Sequence, residues 1–223
     1  MDEQLAAGFR LLTQARPFLD KGDIDGLAAK LTASWSPECL ALLLDGDDVE
    51  VVETAVVCIG LVGDMSHVRP LAALLHHDRM TVVTAAEDAL WSIWFRDGGM
   101  LANAVLRRIA TSVESGETEN VIPLLTEVIR AHPDFAEPYH QRSQIHYLQN
   151  NYPAALRDAR RASELNPFHF GAMANQGHAH AALGHYQEAM ECYHRALHLH
   201  PRFPGIRSTM HEVRQLLSPI GCG

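Results

Sequence analysis

Fourteen histidines among 223 residues invite a chemical reading, because imidazole serves as metal ligand, general base and proton shuttle. His194 and His198 lie four apart, a spacing that sets two imidazoles on one helix face within reach of a single metal ion. No Asp, Glu or Cys accompanies them in a third-ligand pattern, so they read as solvated surface histidines. His76 and His77 point to different sides of a helix, as do His178 and His180. Residues 45–50, DGDDVE, begin like a calcium loop, but Val49 stands where a ligand oxygen is needed and no glycine follows. Cys39, Cys58, Cys192 and Cys222 include no C-x-x-C pair and imply neither a zinc site nor a disulfide framework. The first three read as small core residues of helices. A phosphate-cradling glycine loop, a serine elbow and an HExxH pair are all missing from the sequence. The expectation is a chain without catalytic residues, metal or cofactor.

Function then rests on surfaces, and repeats must position them. Pro133, Pro167 and Pro201 stand 34 residues apart, each closing a similar segment. Aligning 136–169 with 170–203 puts small residues at the eighth place (Ser143, Gly177), the twentieth (Ala155, Ala189) and the twenty-seventh (Ala162, Ala196). Paired helices approach to roughly 8–10 Å where the facing side chains are small. Tyr152 and Tyr186 open the second helix of each pair, after turns at Asn150-Asn151 and Gly184-His185. Asn and Gly tolerate the left-handed backbone such a turn needs, and proline stops the helix that follows. This period and these positions resemble the tetratricopeptide-repeat family, closely over about 68 residues and loosely over about 116. One period earlier lies a degenerate copy, with Gly116 at the turn and Val121 and Val128 replacing alanines, which predicts looser packing. A last helix at 204–217 caps the array, polar outside and apolar inside.

The N-terminal half carries a shorter correspondence. ALLLDGDDVEVVETAVVCIGLVGD and AALLHHDRMTVVTAAEDALWSIWF superpose at an offset of 31, with Leu44 on Leu75 and Asp47 on Asp78. Each reads as an apolar helix, an Asp-containing turn suited to N-capping, and a helix rich in Val and Ala. The pattern is similar to the HEAT-type repeats of the phycobilisome-lyase group. Upstream, two helices broken around Lys21-Gly22-Asp23 cap the array. The expected fold is all-α, an α-solenoid of stacked antiparallel helix pairs. Its sections are capping helices at 1–35, HEAT-like repeats at 36–97 and a tetratricopeptide array at 100–217, joined near residues 96–99. A helix from about Met100 would place Leu101, Val105, Ile109 and Val113 in one stripe against Trp91, Trp94 and Phe95, a seam rather than a cofactor box.

Charge is unevenly placed. The net −9 falls within the first hundred residues, where 7 Lys and Arg face 16 Asp and Glu, and the remainder is balanced. An acidic face repels phosphate backbones, so nucleic acid is not expected as a partner. It could attract a basic partner, although such surfaces ordinarily serve solubility. The opening MDEQLAAGFR lacks the basic-then-apolar pattern of a signal peptide, and no apolar run is long enough to span a membrane. With no disulfide framework, the expected home is the cytoplasm.

The family resemblance implies that the first helix of each pair lines a concave face where ligands, usually peptides, lie against the second, fifth, ninth, twelfth and thirteenth places. Here those are Glu137, His140, Gln144, Tyr147 and Leu148, then Gly171, Ala174, His178, Ala181 and Ala182, with Asn175 beside them. Some members clamp the carboxylate tail of heat-shock chaperones with lysine and asparagine. His140 and Gln144 replace the lysine and the first asparagine, and only Asn175 could match, so a chaperone-tail adaptor is not expected. The leading expectation is a non-enzymatic adaptor or scaffold for a protein or peptide. The alternative, from the HEAT resemblance, is an accessory in cofactor or chromophore attachment. A metal- or histidine-dependent enzyme would rest on composition alone.

Overall fold

In the computed structural model, which describes residues 2–114 and 120–217, every regular element among those residues is helical. The chain divides into two compact units, Met1–Asp97 and Gly98–Gly223. Among the described residues no helix is long and apolar enough to cross a membrane.

The first unit comprises α1 (Asp2–Leu19), α2 (Ile24–Ser34), α3 (Pro37–Ala41), α4 (Val49–Val62), α5 (Val68–Ala73) and α6 (Met80–Arg96), with 3-10 turns at Met65–His67 and Leu74–His76. Gly22, at φ +66°, breaks α1 from α2, and the Asp23 carboxylate accepts from Gly26 N–H to start α2. Asp48 does the same for α4, accepting from the Glu50 and Val51 N–H groups at 3.0 and 3.4 Å. The acidic run at 45–50 is thus a helix start. Its counterpart is not: Arg79 is the N-cap of α6 and makes no side-chain cap, so Asp78 does not share the capping role expected of both turns. Leu11, Leu27, Leu31, Ile59, Leu71, Leu90 and Trp94 fill this core. Helices α4 and α6 touch so closely that a Cβ on Gly60 would lie 2.9 Å from the Ala89 Cβ. Trp91 packs edge-on to Trp94, centroids 5.0 Å apart. Cys39, expected in the core, is exposed because Leu40 takes the inward position of the short α3. Cys58 is buried, which pushes its thiol up to about 12.

The second unit comprises α7 (Gly99–Glu114), α8 (Val121–Ala131), α9 (Ala136–Leu148), α10 (Tyr152–Leu165), α11 (Phe170–Ala182), α12 (Tyr186–Leu199) and α13 (Ile206–Leu217), each packed on the next as an α-solenoid of antiparallel pairs. The turns are left-handed where the sequence called for it, at Asn150 (φ +59°) and Gly184 (φ +79°). Ser143, Ala155, Ala162, Gly177, Ala189 and Ala196 are all buried. Before each repeat proline the helix ends on a bond to its own last turn, from the N–H of His132, Asn166 and His200 to Val128, Ala162 and Ala196 O. The stripe expected on α7 holds at Ile109, but before it the buried positions are displaced by one. Ala102, Leu106 and Ile109 are inside while Leu101 is 85% exposed, because strict four-residue spacing drifts around a helix of about 3.6 residues per turn. Val121, Leu125 and Val128 form the buried edge of α8. Val113's side chain, Gly116 and Cys222 lie outside the described residues.

Candidate functional site

Helices α9 and α11 occupy equivalent places in successive pairs, and α9 also packs directly on α11. That adjacency joins Tyr147 to His178, with ring centroids 6.1 Å apart. Tyr147 is 38% exposed and packs on Tyr152 at 5.4 Å, while the Tyr152 hydroxyl donates to Asn150 Oδ1 at 2.6 Å. Leu148 and Gln144 are exposed beside it, and Asn175 and Ala181 are half-buried. From beneath, His178 Nδ1 bonds the hydroxyl of the fully buried Tyr193 at 2.9 Å. Burial lowers the His178 pKa, so the imidazole enters this contact neutral. Tyr193 has room only because residue 177 is glycine: a Cβ there would fall 2.4 Å from its ring. One absent methyl group thus fixes the ring that holds His178.

Four of the residues assigned to the concave face lie inside instead. Glu137, His140 and Ala174 are 1%, 3% and 3% exposed and Gly171 is buried, because the close packing of α9 on α11 covers the start of both helices. Glu137 Oε2 meets His169 Nε2 at 3.1 Å, and Gln141 Nε2 donates to Glu137 Oε1 at 3.1 Å. His169 Nδ1 accepts the Ala172 N–H at 3.2 Å, which leaves the proton of the neutral ring on Nε2, facing the carboxylate. The His140 ring lies 4.4 Å from that of His169, and Asn175 Nδ2 reaches Ser143 Oγ at 2.9 Å and His140 Nδ1 at 3.3 Å. Burial drives both His140 and His169 down to about 3 and Glu137 up. This cluster is a polar clamp between two helices, shut off from any ligand.

His169 was not among the sequence candidates, although a signal existed. It holds the repeat position occupied by Phe135 and Phe203 in the flanking copies, both 34 residues away. A polar ring where the pattern wants an aromatic needs a buried partner, and Glu137 supplies it. Arg142 was also missed. Its Nε and NH2 fork onto Asp158 at 2.7 and 2.8 Å, and its NH1 reaches Thr126 Oγ1 at 2.9 Å, tying α8, α9 and α10 together.

No group of three or more His, Cys, Asp or Glu able to hold a metal occurs among the described residues. His194 and His198 are exposed on α12, in a groove they share with His211, Arg207 and Arg214 of α13. Two guanidiniums beside those imidazoles oppose cation binding. The surface of α9 and α11 therefore offers contact chemistry: an aromatic ring, a leucine, two amides and a neutral imidazole.

The tetratricopeptide repeat family model matches residues 172–203. A TPR repeat-containing protein of Rhizobium etli is 23% identical over 127 residues, 57% of this chain and 61% of that one. The human protein SGT1 homolog is 36% identical over 69 residues, 31% of this chain and 19% of its own length. The chain thus spans less than two thirds of either relative. Among solved structures, the first TPR of Spaghetti (RPAP3) bound to HSP90 peptide SRMEEVD is similar at a TM-score of 0.50 and 22% identity, over 52% of this chain and 92% of that one. That likeness is one of fold, and it falls on an all-helical stack of pairs. Residues 172–203, which run from α11 through α12 into the turn beyond it, thus match a tetratricopeptide repeat.

Proposed function

We propose that this chain is a non-enzymatic adaptor that holds an extended protein or peptide segment on the exposed face of α9 and α11, at Gln144, Tyr147, Leu148, Asn175, His178 and Ala181. One observation carries the reading: Tyr147 stands 38% exposed, 6.1 Å from a half-buried His178 on the neighbouring first helix. Aromatic anchors dominate binding energy at such surfaces. The solved neighbour holds an acidic HSP90 peptide. A clamp of that kind does not suit this face, where His140, at the place of the clamp lysine, is buried. We infer a segment recognised by apolar and amide contacts instead. Peptides selected on the full chain should bind saturably and lose affinity with Tyr147→Ala, while SRMEEVD should not compete. Equal binding by the Tyr147→Ala variant would remove the face from consideration.

On this reading residues 36–97 are HEAT-like repeats serving as a second docking section, residues 100–217 are the tetratricopeptide array, and the protein works in the cytoplasm. The accessory role in chromophore attachment rests on the HEAT resemblance alone. Tetrapyrrole absorbance retained through purification is its test.

A further inference from the structure

Helix α1 shows two apolar faces where a helix at the edge of a small unit needs one. Leu11 and Ala15 are fully buried, with Gly8 set so close to α4 that an added Cβ would meet both Val51 methyls at 3.0 Å. The other face carries Leu5, Phe9 and Leu12 at i, i+4 and i+7. Leu5 is 64% exposed and Phe9 is 74% exposed. Those side chains line one wall of a cleft of about 700 Å³. Leu43 and Val51 lie on the far side, and Asp45, Asp47 and Asp48 form its rim. The walls are fixed by two ties: Gln4 Nε2 donates to Leu42 O at 2.9 Å, and Arg16 pairs with Glu50. The cleft is therefore preformed, of a size suited to one or two large side chains.

The acidic rim decides among occupants. Nucleic acid and anionic lipid are repelled by three carboxylates within four residues, as they are by the surplus of acidic residues in this unit. A neutral apolar segment gains nothing from the rim. A helix presenting Leu or Phe on one face and Lys or Arg on its flanks satisfies both features together.

We propose that the cleft between α1 and the 43–51 segment is a docking site for a cationic amphipathic helix of a partner protein. The site belongs to the first unit alone and does not depend on the face of α9 and α11. Phe9 and Leu5 supply the apolar contact from one wall, and Asp45 and Asp47 take the flanking cations. Asp48 remains engaged as the cap of α4.

The probe is a fluorescein-labelled helix of about 14 residues, or four turns, with Leu and Phe on one face and Lys elsewhere, alongside a scrambled peptide of the same composition. Anisotropy titration of the full chain should give at least about tenfold tighter binding for the amphipathic peptide. Phe9→Ser should lose about tenfold, Asp45→Asn with Asp47→Asn should lose severalfold at low salt and little at high salt, and Tyr147→Ala should change nothing. Circular-dichroism melting checks that Phe9→Ser is folded, with Leu5→Ser as the second variant. Equal affinity for the scrambled peptide, or parental affinity in both folded serine variants, overturns the proposal. So does a concentration-dependent dimer of the parent that Phe9→Ser abolishes, which would give the cleft to a second copy of this chain.

Discussion

Glycine inside a helix ordinarily weakens it, so Gly177→Ala should stabilise α11 by about 0.5–1 kcal/mol on propensity alone. At this position the structure predicts the opposite sign. The new Cβ would stand 2.4 to 2.9 Å from three carbons of the fully buried Tyr193 ring, where carbons prefer about 3.5–4.0 Å. The ring must retreat by roughly 1 Å, and overpacking of this kind costs about 1–3 kcal/mol. Displacing the Tyr193 hydroxyl from His178 adds about 1 kcal/mol more. The net expectation is a loss of about 1–3 kcal/mol, read from urea unfolding followed by circular dichroism and fitted with a nearest-neighbour repeat model. The decisive comparison repeats Gly177→Ala in a Tyr193→Ala background. There the obstacle is gone and the substitution should turn stabilising by about 0.5–1 kcal/mol. Stabilisation of similar size in both backgrounds would refute the packing argument.

Four further outcomes follow from the same contacts. Ala189→Leu adds three heavy atoms where α11 and α12 meet at a fully buried alanine, so it should cost about 1–3 kcal/mol and release α13 to protease first. Arg142→Ala leaves the nearly buried Asp158 without its fork and should cost about 3–5 kcal/mol, with little rescue by Lys, which cannot make two parallel bonds; thermal melts decide. Because burial lowers His140 and His169 to about 3, their contribution is whole above about pH 6.5 and is lost as pH falls towards 3. Glu137, raised by burial, acts in the opposite direction, its contribution fading as pH rises through its folded value, so it offsets part of the slope. His169→Asn preserves a cap for Ala172 N–H and should flatten the acid limb between those values. Chelation followed by dialysis should leave helicity unchanged; a loss of helicity with one equivalent of released metal contradicts the metal-free reading.

The helices, their turns and their close approaches were legible because backbone requirements leave marks on single residues. Asn150 and Gly184 announced left-handed turns, the three prolines announced helix ends, and the buried small residues followed from their shared spacing. The orientation of side chains around each helix was less legible. Whether Glu137 faces a groove or the interior depends on how far α11 overlaps α9, and only the His169 substitution hinted at it. The same stacking of pairs makes His178 part of the fold as well as of the candidate face, through its bond to the Tyr193 hydroxyl. His178→Ala would strand the buried Tyr193 hydroxyl and destabilise the fold, so Tyr147 is the cleaner probe of binding. On α1 the second apolar face was visible as Leu5, Phe9 and Leu12, but its exposure was not, since periodicity does not tell which apolar face is covered.

The central claim is that the face of α9 and α11 grips a peptide through Tyr147. Isothermal titration of one display-selected peptide into the parent and into Tyr147→Ala tests it most directly. Loss of an aromatic anchor corresponds to about 2 kcal/mol or more, so Kd should rise at least about 30-fold while the melting temperature stays near the parent's. An unchanged Kd in a folded Tyr147→Ala variant would contradict the claim and place the binding surface elsewhere on the chain.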